Sequence, residues 1–600
     1  MASLIKKRKK GHDYYYLAVS ARINGKPRIV EQKYLGTLEN IAEAVKLKNE
    51  NKGPVKPHTG VHFAFADIAA LLDISERLGI RNIIDKHTGK RRQGLNVSDS
   101  ILLAAIQRVV APTSKNTFYQ WFEGTVLPNS FPKGNEQTLS SQIFWNNMKH
   151  LDKDKIFRIE DEIAAQISKQ YNIDTNCLLL YNTNFSTYVG TNNPSELAQR
   201  EHSKKKHTDL KIVGLSLAVS QQYNIPLFHD IYPGNVHDTK QFLDVICGLR
   251  NRCSDLRIPE SETTLVFDNG NNSESSIEEL IYDQCSNFDI IDSGVNFVGS
   301  LKHDQCEVLL QISKQDYIKL EDKTLGDTTV LRRTKDVHGR AMTVVIDNNP
   351  ELYKLQLENI SVNIDKCFSI LNDLNVKLQK RIDGEIRDNR GFTMESITKK
   401  VKSILSAEYM NEIIKYEIEV VNGENIMLTY CLDDNSFSNL KEKILGKTIL
   451  FTNQHAWSNE KIVKAYRSQY LVEEHLDSMK NTKHNTFTPI RHFTDDHIRV
   501  HVFSCMLGLT LASLLNLEFN SIGRSKSLGS MLDCFKAGEQ ILNTYSWDNE
   551  NNMTLCYTPI EKQVKDYIDK FGLKKFSYSA NSSWLVNYIK NIYKKYDLIK

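Results

Sequence analysis

The sequence predicts an α/β protein built on a mixed sheet flanked by helices, and three stretches carry that prediction. CLLLYNTNF (177–185) is a near-continuous apolar run ending in polar residues, the texture of a buried central strand with a functional end. KIVGLSLAVS and IPLFHDIYPGN follow, joined by Gln221-Gln222-Tyr223-Asn224, and read as an antiparallel hairpin. DTKQFLDVICGLR, TTLVFDNGNNS, SSIEELI and NFVGSL then alternate helix and strand, as a sheet covered by helices requires.

The 600 residues exceed what one core serves, so roughly three to five folded units are expected. A composition of 40% hydrophobic and 25% charged residues permits sizeable cores and excludes wholesale disorder. The net charge of +4 is too small to argue for nucleic acid, so that case rests on local clusters. Ten cysteines without a CxxC pair, several in apolar runs (Cys177, Cys247, Cys505), predict reduced thiols rather than disulfides or zinc sites. The longest apolar candidate, 500–517, is interrupted by His501, Ser504, Gly508, Thr510, Ser513 and Asn516, and reads as a buried core helix rather than a membrane span. With no apolar signal segment after the basic N-terminus, a soluble cytoplasmic protein is expected.

Residues 1–60 open with Lys6 to Lys10. Two β-rich runs follow around Asn24-Gly25-Lys26-Pro27, giving a hairpin behind a basic arm, then a polar linker over 45–60. Such an arm suits phosphate contacts, and solvated lysines are the plain alternative. Residues 61–170 are patterned as short helices, with Ser98 as a helix N-cap and Lys86, Lys90, Arg91, Arg92, Arg108 and Lys115 as basic positions. A DNA-binding domain and a packing module both fit them. The predicted sheet domain begins over 171–301. An insertion follows over 302–448, with short strands and a heptad-like helix (Leu357, Ile360, Ile364, Cys367, Leu371, Leu374, Leu378) partnered by 394–416. The sheet domain resumes over 449–517, and 518–600 read as helical and polar.

Residues 462–480, IVKAYRSQYLVEEHLDSMK, hold no Pro or Gly and are predicted to form one amphipathic helix. Tyr466, Glu473 and Lys480 stand seven apart, close to two turns, and so share one face with Gln469 beside them. A carboxylate and an ammonium in line suit a metal at one point and a phosphate at the next; a solvated charged face is the plain alternative. Asp268, at the end of TTLVFD, is a second carboxylate ending an apolar strand. Brought together, Asp268 and Glu473 would make an oxygen-ligand cation site. Phosphodiester chemistry uses such sites, commonly with two ions about 3.5–4 Å apart. A third carboxylate is then wanted from the end of the first central strand, where Asn182 stands.

The chain resembles the insertion-sequence transposases of the DDE cut-and-paste type, whose catalytic domain is ribonuclease-H-like, in the group with a Tyr-Arg-Glu-Lys helix. The resemblance runs in order from Leu178 to Phe503 through LLLYNTNFSTYV, SELAQREHSKKKHTDLKIVGLSLAVS, IPLFHDIYPGNVHDTKQF, TLVFDNGNNS, NFVGSLKHDQ, ILFTNQHAWSNEKIVKAYRSQYLVEEHLDSMK and HIRVHVF. It implies metal-dependent strand cleavage and strand transfer at terminal inverted repeats, with Mg²⁺ or Mn²⁺ as cofactor. It also implies double-stranded DNA (repeats and target) as partner, a homodimer on the DNA, and a prokaryotic, nucleoid-associated location. Asp268 and Glu473 are the implied metal ligands, and Tyr466, Gln469 and Lys480 the implied DNA contacts. Lys204, Lys205 and Lys206, in a loop beside the sheet, are further candidates for phosphate.

Two positions depart from the family. Gln469 replaces an Arg and loses its bidentate phosphate fork. The family reads Tyr-Asp, one residue, Thr-Asn-Phe, whereas this chain reads Tyr181-Asn182-Thr183-Asn184-Phe185, one residue shorter. Either Asn182 replaces the first Asp or a short deletion removed it; with Asn182 there, one neutral amide oxygen stands where hard cations prefer a carboxylate, so weak metal binding and impaired cleavage are expected. The alternatives are a catalytically inactive DNA-binding derivative and a different nuclease on the same fold.

Overall fold

The computed structural model describes the chain apart from residues 1, 10, 24–25, 43–58, 92, 174–175, 191, 201–209, 237, 256–261, 269, 271, 282–294, 387–391, 422–424, 481–482, 485, 489, 545–552, 580 and 596–600. Lys204, Lys205, Lys206 and the Asn24-Gly25 turn therefore lie outside the described residues.

The first 36 residues form a three-stranded antiparallel sheet of β1 (Ala2–Lys9), β2 (His12–Ile23) and β3 (Lys26–Gly36), with β2 central. The lysine-rich segment is thus a strand rather than a free arm, paired from Ala2↔Val19 to Lys9↔His12 and tied by a Lys6–Asp13 ion pair of 2.6 Å. β4 (Thr59–Ala64) leads into a helical region containing α1 (Ala66–Arg77), α2 (Val97–Val110) and α3 (Lys153–Tyr171). Asn96, not Ser98, caps α2, in a capping box with Asp99; the buried Ser98 hydroxyl instead donates to Asp85 at 2.6 Å.

The central sheet has nine strands: β5 (Cys177–Ser186), β6 (Ile212–Ser220), β7 (Pro226–Pro233), β8 (Thr264–Val266), β9 (Asn296–Leu301), β10 (Ile318–Lys319), β11 (Thr329–Val337), β12 (Arg340–Asn348) and β15 (Lys447–Thr452). Their order is β10-β11-β12-β15-β9-β8-β5-β6-β7. β5, β8 and β9 run parallel and the other pairings are antiparallel, so the sheet is mixed. α4 (Asp238–Asp255) packs on one face, where the Phe242 and Phe267 rings meet at 5.1 Å.

The sequence places β10, β11 and β12 in the insertion, yet they extend this sheet. Val344, Val345 and Ile346 are consecutive and fully buried, which requires cover on both faces. The insertion proper runs from α5 (Pro350–Ile382) through the β13 (Ile414–Val421) and β14 (Asn425–Leu432) hairpin. It has its own core, in which Ile360, Ile364, Leu371 and Leu378 of α5 meet Ile397, Val401, Ile413 and Leu428.

Beyond β15, the single helix expected over 462–480 is two: α6 (Asn459–Arg467) and α7 (Gln469–Lys480), broken at Ser468. The Ser468 hydroxyl donates back to the Lys464 carbonyl at 2.6 Å and accepts from Gln221 at 3.0 Å, the back-bonding that bends helices. α8 (Asp495–Ile522) is long and apolar enough to cross a membrane, and 89% of its apolar window is buried in the fold. The C-terminal region adds strands as well as helices. β16 (Glu539–Thr544) pairs with both β17 (Met553–Tyr557) and β4, which ties the C-terminal region to the helical one. Among the described residues, seven cysteines are free thiols, while Cys247 departs from expectation in being disulfide-bonded.

Candidate functional site

Strand register places the site. Leu179, Val266 and Val298 are neighbours across β5, β8 and β9. Side chains alternate faces, so two residues further on Tyr181, Asp268 and Ser300 form a row on one face. Phe267, between Val266 and Asp268, points to the opposite face against Phe242 of α4. The loop after Asp268 folds back on it: its Oδ1 accepts from the Gly270 amide at 3.0 Å. Asn272 donates to the Ser300 carbonyl at 2.9 Å, and His338 donates to the Asn272 carbonyl at 3.0 Å.

α6 and α7 lie over this row. The Tyr466 hydroxyl is hydrogen-bonded to Ser300 and stands within the field of both Asp268 and Glu473. Burial is the main cause that pushes this phenol above its ordinary value; the Ser300 bond works against it, and the two carboxylates add to it. Tyr466 therefore keeps its proton at neutral pH. Asp268 and Glu473, from opposite sides of the insertion, both act electrostatically on this one phenol. Glu473 is exposed to solvent on α7. Lys480, at the far end of α7, sits 5.9 Å from the ring of Phe185, which lies four residues beyond Tyr181 and on the same face. Phe185 in turn stacks on Phe487 at 5.0 Å.

Asn182 is not brought to this cluster. It pairs with Ser216, which pairs with Asp230, and Asp230 accepts from Gln241 of α4 at 3.0 Å. That row belongs to the α4 face, across the sheet from Asp268. Both amide atoms of Asn182 and the hydroxyl of Ser216 are buried there without a hydrogen-bond partner. The strand position facing Asp268 is occupied by Tyr181. Counting back from Thr183-Asn184-Phe185, rather than forward from Tyr181, would have pointed to it from sequence.

Gln469 begins α7 with its Nε2 buried and unpartnered. The nearby Arg467 does not replace the missing guanidinium. It holds the buried Asp347 bidentately at 2.7 and 2.9 Å and bonds Thr328 at 2.9 Å. Lys464 is likewise committed, to Asp322. In the helical region, Lys86 pairs with Glu162 at 2.7 Å and Lys115 lies 3.3 Å from His492, so two of its basic residues serve packing. Ser300 and Arg467 carry no motif and were not legible as site residues in the sequence; only parallel register and the ion pair reveal them.

Two carboxylates and a phenol do not fit a pair of divalent ions. Among the described residues, no three His, Cys, Asp or Glu side chains converge as ligands. Asp268 and Glu473 offer at most a partial shell for one hard cation.

No family model matches the chain, and no curated protein matches it. Among solved structures, the chain is similar to one described as the cryo-EM structure of a piggyBac transposase synaptic complex with hairpin DNA. Identity is 10%, the TM-score is 0.37, and the alignment covers 78% of this chain and 79% of that one.

Proposed function

We propose that the chain is a DNA transposase of an insertion sequence, with a ribonuclease-H-like catalytic domain whose strand cleavage and strand transfer are impaired. The observation that supports it is the placement of Asp268, just beyond β8, beside the end of the central strand β5, with α7, which carries Glu473, packed on that strand. In this reading the two carboxylates face a Mg²⁺ or Mn²⁺ ion, whose chemistry would be activation of water or a 3′ hydroxyl. Tyr466, as a neutral donor, and Lys480, as a cation, hold phosphate oxygens of the DNA end. Gln469 supplies weaker polar contact, and Lys204, Lys205 and Lys206 add phosphate contacts. The partners are duplex DNA carrying terminal inverted repeats and a target duplex, with two copies of the chain holding two ends in a nucleoid-associated complex.

The position of Tyr181 favours a second reading, a catalytically inactive derivative that retains DNA binding. A phenol facing Asp268 cannot supply the third anionic ligand at neutral pH.

One experiment separates the readings: the full-length chain is incubated, with Mn²⁺, on duplexes carrying the inverted repeats that flank its reading frame. Repeat-dependent binding and slow nicking at the repeat end are expected, with Asp268→Asn and Glu473→Gln each abolishing the nicking and sparing the binding. Binding without nicking selects the inactive derivative. Equal binding to unrelated duplexes, or cutting of DNA without repeats, overturns the transposase assignment.

A further inference from the structure

The β1–β3 sheet carries more positive charge than the whole chain has in excess. Residues 1–36 carry nine Lys and Arg against only Asp13 and Glu31, a net +7; the whole chain is +4, which leaves 37–600 at −3. The charge is sorted by strand. β1 bears Lys6, Lys7, Arg8 and Lys9, and β3 bears Lys26, Arg28 and Lys33. The central β2, HDYYYLAVSARI, has Arg22 as its one Lys or Arg.

Among the described residues, no other element closes over either face of this sheet. Ala18 is the one buried side chain among its described residues, while Leu4, Val30 and Tyr34 are 60%, 51% and 55% exposed. On one face Tyr14, Tyr16 and Tyr34 cluster, with ring centroids 6.1 and 5.2 Å apart, and Lys7 lies 4.9 Å above Tyr16. A small sheet open on both sides buries too little apolar surface to be its own end, so a partner is expected to cover it.

We infer that this sheet binds duplex DNA, seated against a groove with its two basic outer strands along the phosphate backbones. The outer strands lie about 10 Å apart by ordinary strand spacing, so they can follow the two rims of a major groove about 12 Å wide, which itself admits only a two-stranded ribbon. β2, at 12 residues, spans about 40 Å, roughly one turn of B-DNA. This names a surface for the DNA partner of the proposed function and rests on that partner, though not on the cleavage chemistry.

The test uses the full-length chain on a duplex of about 30 base pairs with no inverted repeat, with affinity followed against salt. Lys9→Gln/Arg28→Gln/Lys33→Gln removes three exposed cations, and Lys399→Gln/Lys402→Gln/Lys415→Gln removes three from the insertion as a control. The sheet variant is expected to weaken binding at least about tenfold and to flatten the slope of log K against log salt by about 2.7, roughly 0.9 per lost phosphate contact. The control should leave the slope within about 0.5 of the parent's. An unchanged slope in the sheet variant, or an equal loss in the control, overturns the inference while leaving the proposed function standing. A parent chain that binds no duplex overturns both. Binding to anionic phosphatidylserine vesicles or single strands in preference to duplex assigns the sheet another partner and likewise overturns the inference.

Discussion

Tyr181 and Asn182 are neighbours that the pleat sends to opposite faces, and this separates two substitutions that look equivalent in sequence. Tyr181→Asp places a third carboxylate in the row with Asp268 and under Glu473. Asn182→Asp buries an unpaired charge on the α4 face, near Asp230. The first variant is expected to bind Mn²⁺, read as a thermal midpoint that rises with Mn²⁺ concentration because ligand binding stabilises the folded state. The parent and Asn182→Asp, with two carboxylates in the row, should show a much smaller rise that needs higher Mn²⁺, and Asn182→Asp should lose about 3 kcal/mol or more from an uncompensated buried charge. A large Mn²⁺-dependent rise in Asn182→Asp alone would restore Asn182 as the ligand position. Asn182→Val is expected to stabilise by about 1 kcal/mol, since it removes an amide with no buried partner; a loss in urea midpoint would show that the amide is satisfied in solution. The segment YNTNF can be counted from its Tyr or from its Thr-Asn-Phe, and residue identity does not decide between them. Only the pairing of Leu179 with Val266 does.

The elements that carry the site were legible where apolar pattern alone makes them. β5, the β6–β7 hairpin and α4 follow their runs because buried strands read as continuous apolar segments and covering helices do not. The break between α6 and α7 was not legible, because it depends on Gln221, distant in sequence, bonding Ser468. Arg467 shows what holds α6 in place. Asp347 is 3% exposed, and burial raises its carboxyl above the ordinary range against the pull of Arg467. Arg467→Ala would strand that buried carboxyl, and a loss of about 3–5 kcal/mol in urea unfolding is expected, with Asp347→Asn added to it recovering part. A loss below about 1 kcal/mol would mean that Asp347 reaches water when unpaired. The second tie of α6 sets a pH window. Hydrogen bonding from Lys464 is the main cause that depresses the Asp322 carboxyl from 3.8 to about 2. A carboxyl lowered in the folded state contributes stability above its unfolded value and loses it as pH falls through the folded value. The difference in urea midpoint between the parent and Asp322→Asn should therefore be constant above about pH 5 and shrink towards pH 2. A difference that does not change with pH would remove the ion pair as its source.

Across the whole molecule, long-range pairing is what sequence texture could not supply. β4 meets β16 in antiparallel register from Ala64↔Glu539 to Thr59↔Thr544, and no local pattern in either segment names the other. The reverse holds for the insertion, whose heptad positions Ile360, Ile364, Leu371 and Leu378 were readable because they close a core of their own. Its boundaries follow from the strands that flank it. β12 ends and β15 begins at the directly paired residues Asn348 and Lys447, so the chain leaves and re-enters the sheet at one point. Gly446 sits there at φ 75°, with no room for a Cβ against Tyr353 and Asn349. Replacing residues 349–446 by Asn-Gly would join β12 to β15 as an ordinary two-residue hairpin. The buried core that includes Val344, Ile346, Leu450 and Phe451 would stay intact. The shortened protein is expected to unfold in a single cooperative transition by circular dichroism. Its Tyr181→Asp form should show the same Mn²⁺-dependent rise in thermal midpoint as the full-length variant. Loss of cooperative unfolding would show that the insertion supports the sheet. Retained unfolding without the Mn²⁺ response would show that it positions α6 and α7 over the row, a coupling that the separate cores argue against.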